Sequence, residues 1–362
     1  MNKVSSDGTI EWKRPVNQTL NPTCRVTPTT KHGQRLCRIH NLVNGIHAPD
    51  ICIRRGEGIG DILMSTPIAK FLHQQFPGCK ITYATNTNYL KGALIETLQN
   101  NPFVQNIIPW TNIVPEEFDA ILDLHCPCVA HEQVKNGVPP NPISRMDLFA
   151  RHIGVTLSDR KPIFVPTEQE LVEAKTWLAT KLRLGDKKLI CIAPFASNIQ
   201  RSIEPDIMKD VARTLRSTLR NVKILLFTHD SDYTKDVYWD GCADEEIKNA
   251  GVRKIASLIY YSSLIICPDS AMLHLAAALD KKVLAIFGHT DARARTDQYP
   301  TATAYWPGKR ACQLCPCWYS EIGKCRHQIC WKSIKAADIL TLAYKIIEEK
   351  IEPKIMVGAE RI

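Results

Sequence analysis

No run in this sequence approaches the roughly 18 consecutive apolar residues that a membrane-spanning helix needs. Its polar start, MNKVSSDGTIEWKRP, lacks the apolar stretch of a secretion signal. The chain is therefore expected in the cytoplasm, with the inner-membrane surface as a peripheral alternative. There is no internal repeat of fixed short period and no low-complexity tract, which argues against repeat arrays and fibrous or disordered classes. The dinucleotide spacing G-x-G-x-x-G is absent from the first glycine turn: Gly56, Gly58 and Gly60 stand at every second position. That disfavours a nicotinamide dehydrogenase.

What is present is enough for two cores. A chain of 362 residues that is 44% hydrophobic exceeds one typical domain. Fourteen cysteines without a secretion signal read as reduced thiols or metal ligands rather than a disulfide framework. The net charge of +9 favours anionic partners, a sugar nucleotide, lipopolysaccharide phosphates or DNA among them, without choosing between them.

Residues 1–49 carry Pro15, Pro22, Pro28 and Pro49 with scattered Lys and Arg and no apolar period, so an irregular basic N-terminal extension is expected there. From Asp50 short apolar strands (ICIRR, KITYAT, QNIIPW, FDAILDLH) alternate with amphipathic helices. A Pro-rich stretch, residues 127–142, interrupts them before the helix SRMDLFARHIG and a strand at IFVP. A second βα series then starts: KLICIAP, VKILLFT, LIICPD and KVLAIFG as strands, with helices between them. The predicted fold is α/β, two Rossmann-like doubly wound domains facing across a cleft, with ligands at the carboxyl ends of the strands. Residues 50–166 form the first domain and 167–335 the second, which contains the cysteine-rich stretch 312–330; 336–362 form a C-terminal helix and tail.

Four motifs fall at strand ends. In Arg54-Arg55-Gly56-Glu57-Gly58-Ile59-Gly60-Asp61 a flexible turn delivers Asp61 to a helix N-terminus in the cleft, where a carboxylate could accept a proton from a hydroxyl; it could equally cap the helix. In Pro268-Asp269-Ser270-Ala271-Met272-Leu273-His274 a buried strand gives way to a small-residue helix whose first amides suit a diphosphate. Asp269 or Ser270 as an ordinary cap, and His274 as a core histidine, fit the same pattern. In Phe287-Gly288-His289-Thr290-Asp291, Gly288 permits close approach and Thr290 offers a hydroxyl to a phosphate. Arg201, in a loop after the first strand of the second domain, could offset charge on a departing diphosphate or simply be solvated.

Taken in this order the motifs resemble those of the ADP-heptose–lipopolysaccharide heptosyltransferase-like family, glycosyltransferase family nine. The match runs over roughly residues 50–345. Its marks are Gly60-Asp61 before the Thr66-Pro67 helix, Asp269 through Leu279, and Phe287 through Asp291. The resemblance implies the GT-B fold, an acceptor-side N-terminal domain that includes Gly58 and Gly60, and an inverting, metal-independent transfer with Asp61 as general base. Asp269, Ser270, Met272, His274, Gly288 and Thr290 would contact the nucleotide-sugar donor, with Arg201 on its phosphates. Ala271 stands where the family has glycine. A protein hydroxyl or a hydroxylated DNA base are alternative acceptors, and a catalytically silent nucleotide-sugar-binding protein is the alternative outside the enzymes. An oligomer is compatible with all of these.

The cysteines read C-x2-C-x-C-x7-C-x4-C. Cys312, Cys315, Cys325 and Cys330 suit a tetrahedral structural zinc or iron, and relatives that glycosylate bacterial surface proteins are similar in carrying a cysteine-bound iron near this point. Packed, reduced thiols are the alternative, and no catalytic role is expected of them.

Overall fold

The computed structural model describes Ile39, Val43 and residues 45–124, 127–132, 142–231, 234–313, 315–317, 328–350, 355–357 and 360–361. Most of the expected extension lies outside these residues, and so does Cys325. The extension's last part is not peripheral, however: Ile39 and Val43 are buried in the first domain's core, and the Ile39 amide donates to the Ile153 carbonyl at 3.1 Å.

In the first domain β1 (Asp50–Arg54) is flanked in parallel by β2 (Lys80–Thr85) and β4 (Ala120–Asp123), with β3 (Asn106–Pro109) outside β2, giving the order β3-β2-β1-β4. Its helices are α1 (Ile59–Gln75), α2 (Ala93–Leu98), α3 (Pro127–Glu132) and α4 (Arg145–His152). Pro67 lies inside α1 and cannot donate to the Leu63 carbonyl. The neighbouring Thr66 hydroxyl does so instead, at 2.7 Å, and also accepts the Ile163 amide at 2.8 Å. The Thr-Pro pair thus keeps α1 intact and ties it to the segment between the domains.

That segment, expected to hold a strand at IFVP, holds none. Pro162 and Pro166 offer no amide to a ladder, and the Ile163 amide is spent on Thr66.

The second domain begins with α5 (Glu168–Thr180), opened by a capping box in which Thr167 and Glu170 satisfy each other's amides. Its strands are β5 (Lys188–Ile192), β6 (Val222–Thr228), β7 (Glu245–Lys248), β8 (Leu264–Pro268), β9 (Val283–Ile286), β10 (Ala302–Tyr305), β11 (Ile355–Val357) and β12 (Glu360–Arg361). They form one sheet in the order β12-β11-β10-β9-β8-β5-β6-β7, parallel except for the β11/β12 pair. Strand order reverses between β5 and β8, where a doubly wound sheet opens its binding crevice. Helices α6 (Pro205–Thr218), α7 (Val252–Ile259), α8 (Ala271–Ala278) and α9 (Arg293–Thr296) follow the strands, and α10 (Ala336–Ile347) packs beside α6. Ile339, Leu342, Ala343 and Ile346 of α10 are buried in the second domain's core, so the C-terminal helix is a structural part of that domain.

The domains meet along α1 and α8, and one continuous apolar core runs through the contact. Gly60 is required there: a β-carbon on it would come within 2.8 Å of the His274 ring. Among the described residues no helix is long and apolar enough to cross a membrane.

Candidate active site

Chain direction brings the carboxyl ends of β1, β5, β8 and β9 to the cleft. After β1 the backbone passes Gly56, against which the Trp110 indole is pressed so closely that a β-carbon would sit 1.9 Å from it. It then turns through Gly58 at φ +82°, a left-handed conformation that favours glycine. Gly58 is the N-cap of α1, with no side-chain cap. Asp61 therefore does not cap the helix. Its carboxylate takes Arg55 Nη2 on Oδ2 at 2.5 Å and Arg145 Nη1 on Oδ1 at 2.5 Å. Burial alone would raise its pKa; Arg145 and Arg55 together overcome this and hold Asp61 well below the usual carboxylate range.

On the opposite wall Ser270 caps α8, accepting the Met272 amide at 3.4 Å. Met272 is half-buried against the apolar core. Asp269 is buried at the mouth of the helix. Burial opposes its charge, but Arg295 and Arg201 hold its pKa down. Its Oδ1 lies 3.8 Å from Arg295 Nε, while Oδ2 is buried with no hydrogen-bond partner. Arg201, in a short 3-10 turn, donates to the Asp269 carbonyl at 3.5 Å and to the Ser197 hydroxyl. Thr290 is likewise buried with its hydroxyl unsatisfied. Buried polar atoms are normally bonded. Two orphaned oxygens just past the ends of the neighbouring strands β8 and β9, with arginines beside Asp269, mark where a polar ligand would complete the structure.

His274 is seated differently from a ligand-facing residue. Its Nδ1 pairs with the Tyr299 hydroxyl at 2.7 Å, its ring lies against Gly60, and burial lowers its pKa to about 4, so it is neutral at pH 7. It joins the two walls. Gly288 is also occupied from within the chain, since a β-carbon would meet the Trp331 indole at 2.3 Å. The close approach that Gly288 permits is that of Trp331.

The cysteine-rich stretch holds this turn in place. Cys315 Sγ and Trp306 Nε1 donate to the Gly288 carbonyl at 3.3 and 3.2 Å, and the Cys317 amide donates to the His289 carbonyl at 3.1 Å. Cys312, Cys315, Cys317 and Cys330 are thiols, and burial, with the nearby Cys330, Cys317 and Cys312, pushes the Cys315 pKa up. Among the described residues no three ligating side chains converge tightly enough to hold an ion. A metal here would need Cys325, which lies outside the described residues, and a closer approach of the other thiols.

The motifs pointed to Asp61 and Asp269 but gave no sign of what connects them. Arg145 forks onto Glu132, with Nε to Oε1 at 2.9 Å and Nη2 to Oε2 at 2.6 Å, and Arg295 reaches the same carboxylate from the second domain at 3.0 Å. Four guanidiniums (Arg55, Arg145, Arg201, Arg295) thus face three carboxylates (Asp61, Glu132, Asp269), an excess of one positive charge in a buried cleft. Such a site favours an anion.

Residues 143–315 match the family described as Glycosyltransferase family 9 (heptosyltransferase). No curated protein sequence matches the chain. Among solved structures, the glycosyl transferase family 9 protein of Veillonella parvula DSM 2008 is similar with a TM-score of 0.65 at 14% identity, covering 84% of this chain and 98% of that one. The E. coli ADP-heptose lipopolysaccharide heptosyltransferase II aligns with a TM-score of 0.59 at 14% identity, covering 83% and 99%. The iron-containing dodecameric glycosyltransferase TibC of enterotoxigenic E. coli H10407 aligns with a TM-score of 0.61 at 14% identity, covering 84% and 77%. The twin-domain glycosyltransferase fold expected from the motifs is the fold of the chain, and the resemblance to the heptosyltransferase family stands.

Proposed function

We infer that this glycosyltransferase, heptosyltransferase-like and served by a nucleotide-sugar donor, transfers its sugar with inversion in a single displacement across the α1/α8 cleft. The observation that carries the reading is the pairing of two walls: a deeply held carboxylate, Asp61, on one, and on the other the ends of β8 and β9, with orphaned oxygens on Asp269 and Thr290 and with Arg201 and Arg295 beside Asp269. The diphosphate would lie at the amides that open α8, with Arg201 and the Thr290 hydroxyl on its oxygens. Asp269 Oδ2 would accept from a sugar or ribose hydroxyl, because a carboxylate repels phosphate. Asp61 would take the proton of the acceptor hydroxyl as that oxygen attacks the anomeric carbon and the nucleoside diphosphate leaves. The arginines supply the positive charge that the leaving group needs, so the scheme calls for no metal.

A thermal-shift panel of ADP-, UDP-, GDP- and CMP-sugars, headed by ADP-heptose, tests the donor side. One nucleotide class is expected to raise the unfolding midpoint as its concentration passes its Kd, since only the folded state binds it. A flat response to the whole panel would sink the reading. The acceptor is proposed as an anionic molecule bearing a free hydroxyl, lipopolysaccharide core first. Duplex DNA is the rival, and it would show itself as a salt-sensitive mobility shift.

A structural zinc or iron at the cysteine-rich stretch is a separate proposal. Elemental analysis of the purified chain is expected to find about one metal per molecule, lost in Cys315→Ser, because four thiolates make a complete tetrahedral shell. Metal-free protein with an unchanged unfolding midpoint in the variant rejects it.

A further inference from the structure

Glu132 belongs to none of the sequence motifs, yet both domains hold its carboxylate. Arg145 grips it with two nitrogens from its own domain, and Arg295 reaches across from the other. The remaining Nη1 of Arg145 holds Asp61, and Nε of Arg295 faces Asp269 at the donor mouth. The groups stand in single file from the donor mouth to Asp61: Asp269, Arg295, Glu132, Arg145, Asp61. Their signs alternate at every step. The Glu132 side chain is only 7% exposed, a depth at which a carboxylate persists only with partners.

We propose that Glu132 is a positioning residue that acts through Arg145 and passes the arrival of the donor diphosphate on to Asp61. The inference rests on the transferase reading above. Without donor, Glu132 divides its charge between Arg295 and Arg145, and Arg145 holds Asp61 firmly. A diphosphate at the amides that open α8 draws the Arg295 guanidinium toward itself, because phosphate oxygens are strong acceptors for a planar fork. Glu132 then leans wholly on Arg145. Asp61 competes for that same guanidinium, is held less tightly and becomes a better proton acceptor. No bond forms or breaks in this step; only ion pairs exchange.

The other groups around the two carboxylates do not offset the effect. Arg55 also holds Asp61, whereas the exchange passes through Arg145 and Arg295 on Glu132. Cys128, raised by burial to about 12, Tyr83 and Tyr89, raised by burial, and His274, lowered by burial to about 4, are all neutral at pH 7. Charge in the file is therefore carried by the arginines and carboxylates alone.

The test is steady-state transfer by the full chain with ADP-heptose, or with whichever sugar nucleotide of the panel the wild type turns over. In the wild type the acid limb of kcat, which reports the donor complex, is expected at least one pH unit above that of kcat/KM for the donor, which reports the free enzyme. Glu132→Gln is expected to abolish that separation and lower kcat about tenfold, while the product nucleoside diphosphate, measured by calorimetry, binds no more weakly than to wild type, because Arg295 no longer has to leave a carboxylate to reach it. Glu132→Asp, which keeps the charge, should recover most of the rate. Coincident acid limbs in the wild type overturn the proposal, and that measurement needs no variant to fold. A Glu132→Gln enzyme with wild-type kcat and wild-type limbs overturns it too, as does a parallel loss of kcat, nucleotide affinity and unfolding midpoint. A wild type that binds but never turns over a sugar nucleotide overturns the transferase reading itself, an outcome distinct from an active wild type with coincident limbs.

Discussion

Replacing Asp61 with Asn is expected to slow sugar transfer by about 10²–10⁴-fold, the range a positioned general base contributes, while the donor nucleotide still binds. The groups proposed for the donor, Arg201, Asp269 and Thr290, lie on the other domain, so calorimetry with the nucleoside diphosphate should give a Kd near the wild-type value. Stability should change as well. Asp61 is the shared counter-ion of Arg55 and Arg145. An amide leaves two guanidiniums facing each other, and losing one partner of a buried pair costs about 3–5 kcal/mol. The wild type should show the same contribution through pH. The folded-state pKa of Asp61 is depressed below its unfolded value, so its stabilisation is complete above pH ~4. It is lost as pH falls through and below the ordinary carboxylate range, and the Asn variant should lack that acid-side loss. Single-turnover transfer within about threefold of wild type would remove Asp61 from the chemistry and leave it a structural counter-ion.

As the proposed base, Asp61 is a poor one at rest, a consequence of this geometry. Asp61 sits between two arginines at 2.5 Å, an arrangement that stabilises the carboxylate and weakens its pull on a proton. The glycine turn and the α1 helix were legible in the sequence, and so was Asp61, because strand, turn and helix each carry a local signature. The partners were not. Arg145 follows a Pro-rich stretch, Glu132 ends a six-residue helix and Arg295 lies in a four-residue one, so no periodicity marks them. Their significance arises only when segments 13 to 163 residues apart meet at one carboxylate.

Glycines show the same division. Three of them in the first turn announced a tight bend, and Gly58 with its positive φ is that bend. Gly56 and Gly60 are there for another reason: Trp110 and His274 occupy the space where their β-carbons would be. Gly288 read as room for a ligand for want of any sign that Trp331, 43 positions further on, fills it. Strands β7 and β10 went unread because EEIK and ATAY carry little apolar pattern, and parallel pairing with β6 and β9 makes them strands. Ile39 and Val43 fall within the expected irregular extension, because the apolar spacing of Leu36, Ile39, Leu42, Val43 and Ile46 is short and follows a long polar, proline-bearing stretch. The first domain's core recruits Ile39 and Val43 all the same.

Arg253→Ala should give a large loss of stability away from the α1/α8 cleft, because one guanidinium fastens three parts of the chain. It rises from α7 and forks onto Glu170 at the start of α5, with contacts of 2.5 and 2.7 Å. It also donates to the Val165 carbonyl in the segment between the domains at 2.9 Å, and to the Glu96 and Gln99 carbonyls at the end of α2 at 2.9 and 3.3 Å. Its Cζ lies 5.2 Å from the centre of the Phe164 ring. Glu170 is about one quarter exposed, so water recovers part of its charge when the arginine is removed. The carbonyls of Val165, Glu96 and Gln99 lose their donors at a part-buried junction, where water replaces them in part. Together these losses suggest about 3 kcal/mol, or a fall of roughly 6–12 °C in the unfolding midpoint for a unit of 150–250 residues. Arg253→Lys should recover little, since an ammonium cannot span a carboxylate and three carbonyls at once. With the pin gone, the segment joining the domains should exchange its amide hydrogens faster around Ile163 and Val165, and transfer should slow because Asp61 and Asp269 ride on opposite sides of that joint. An Arg253→Ala protein with wild-type melting and wild-type exchange at the joint would mean that the α1/α8 contact alone fixes the two walls.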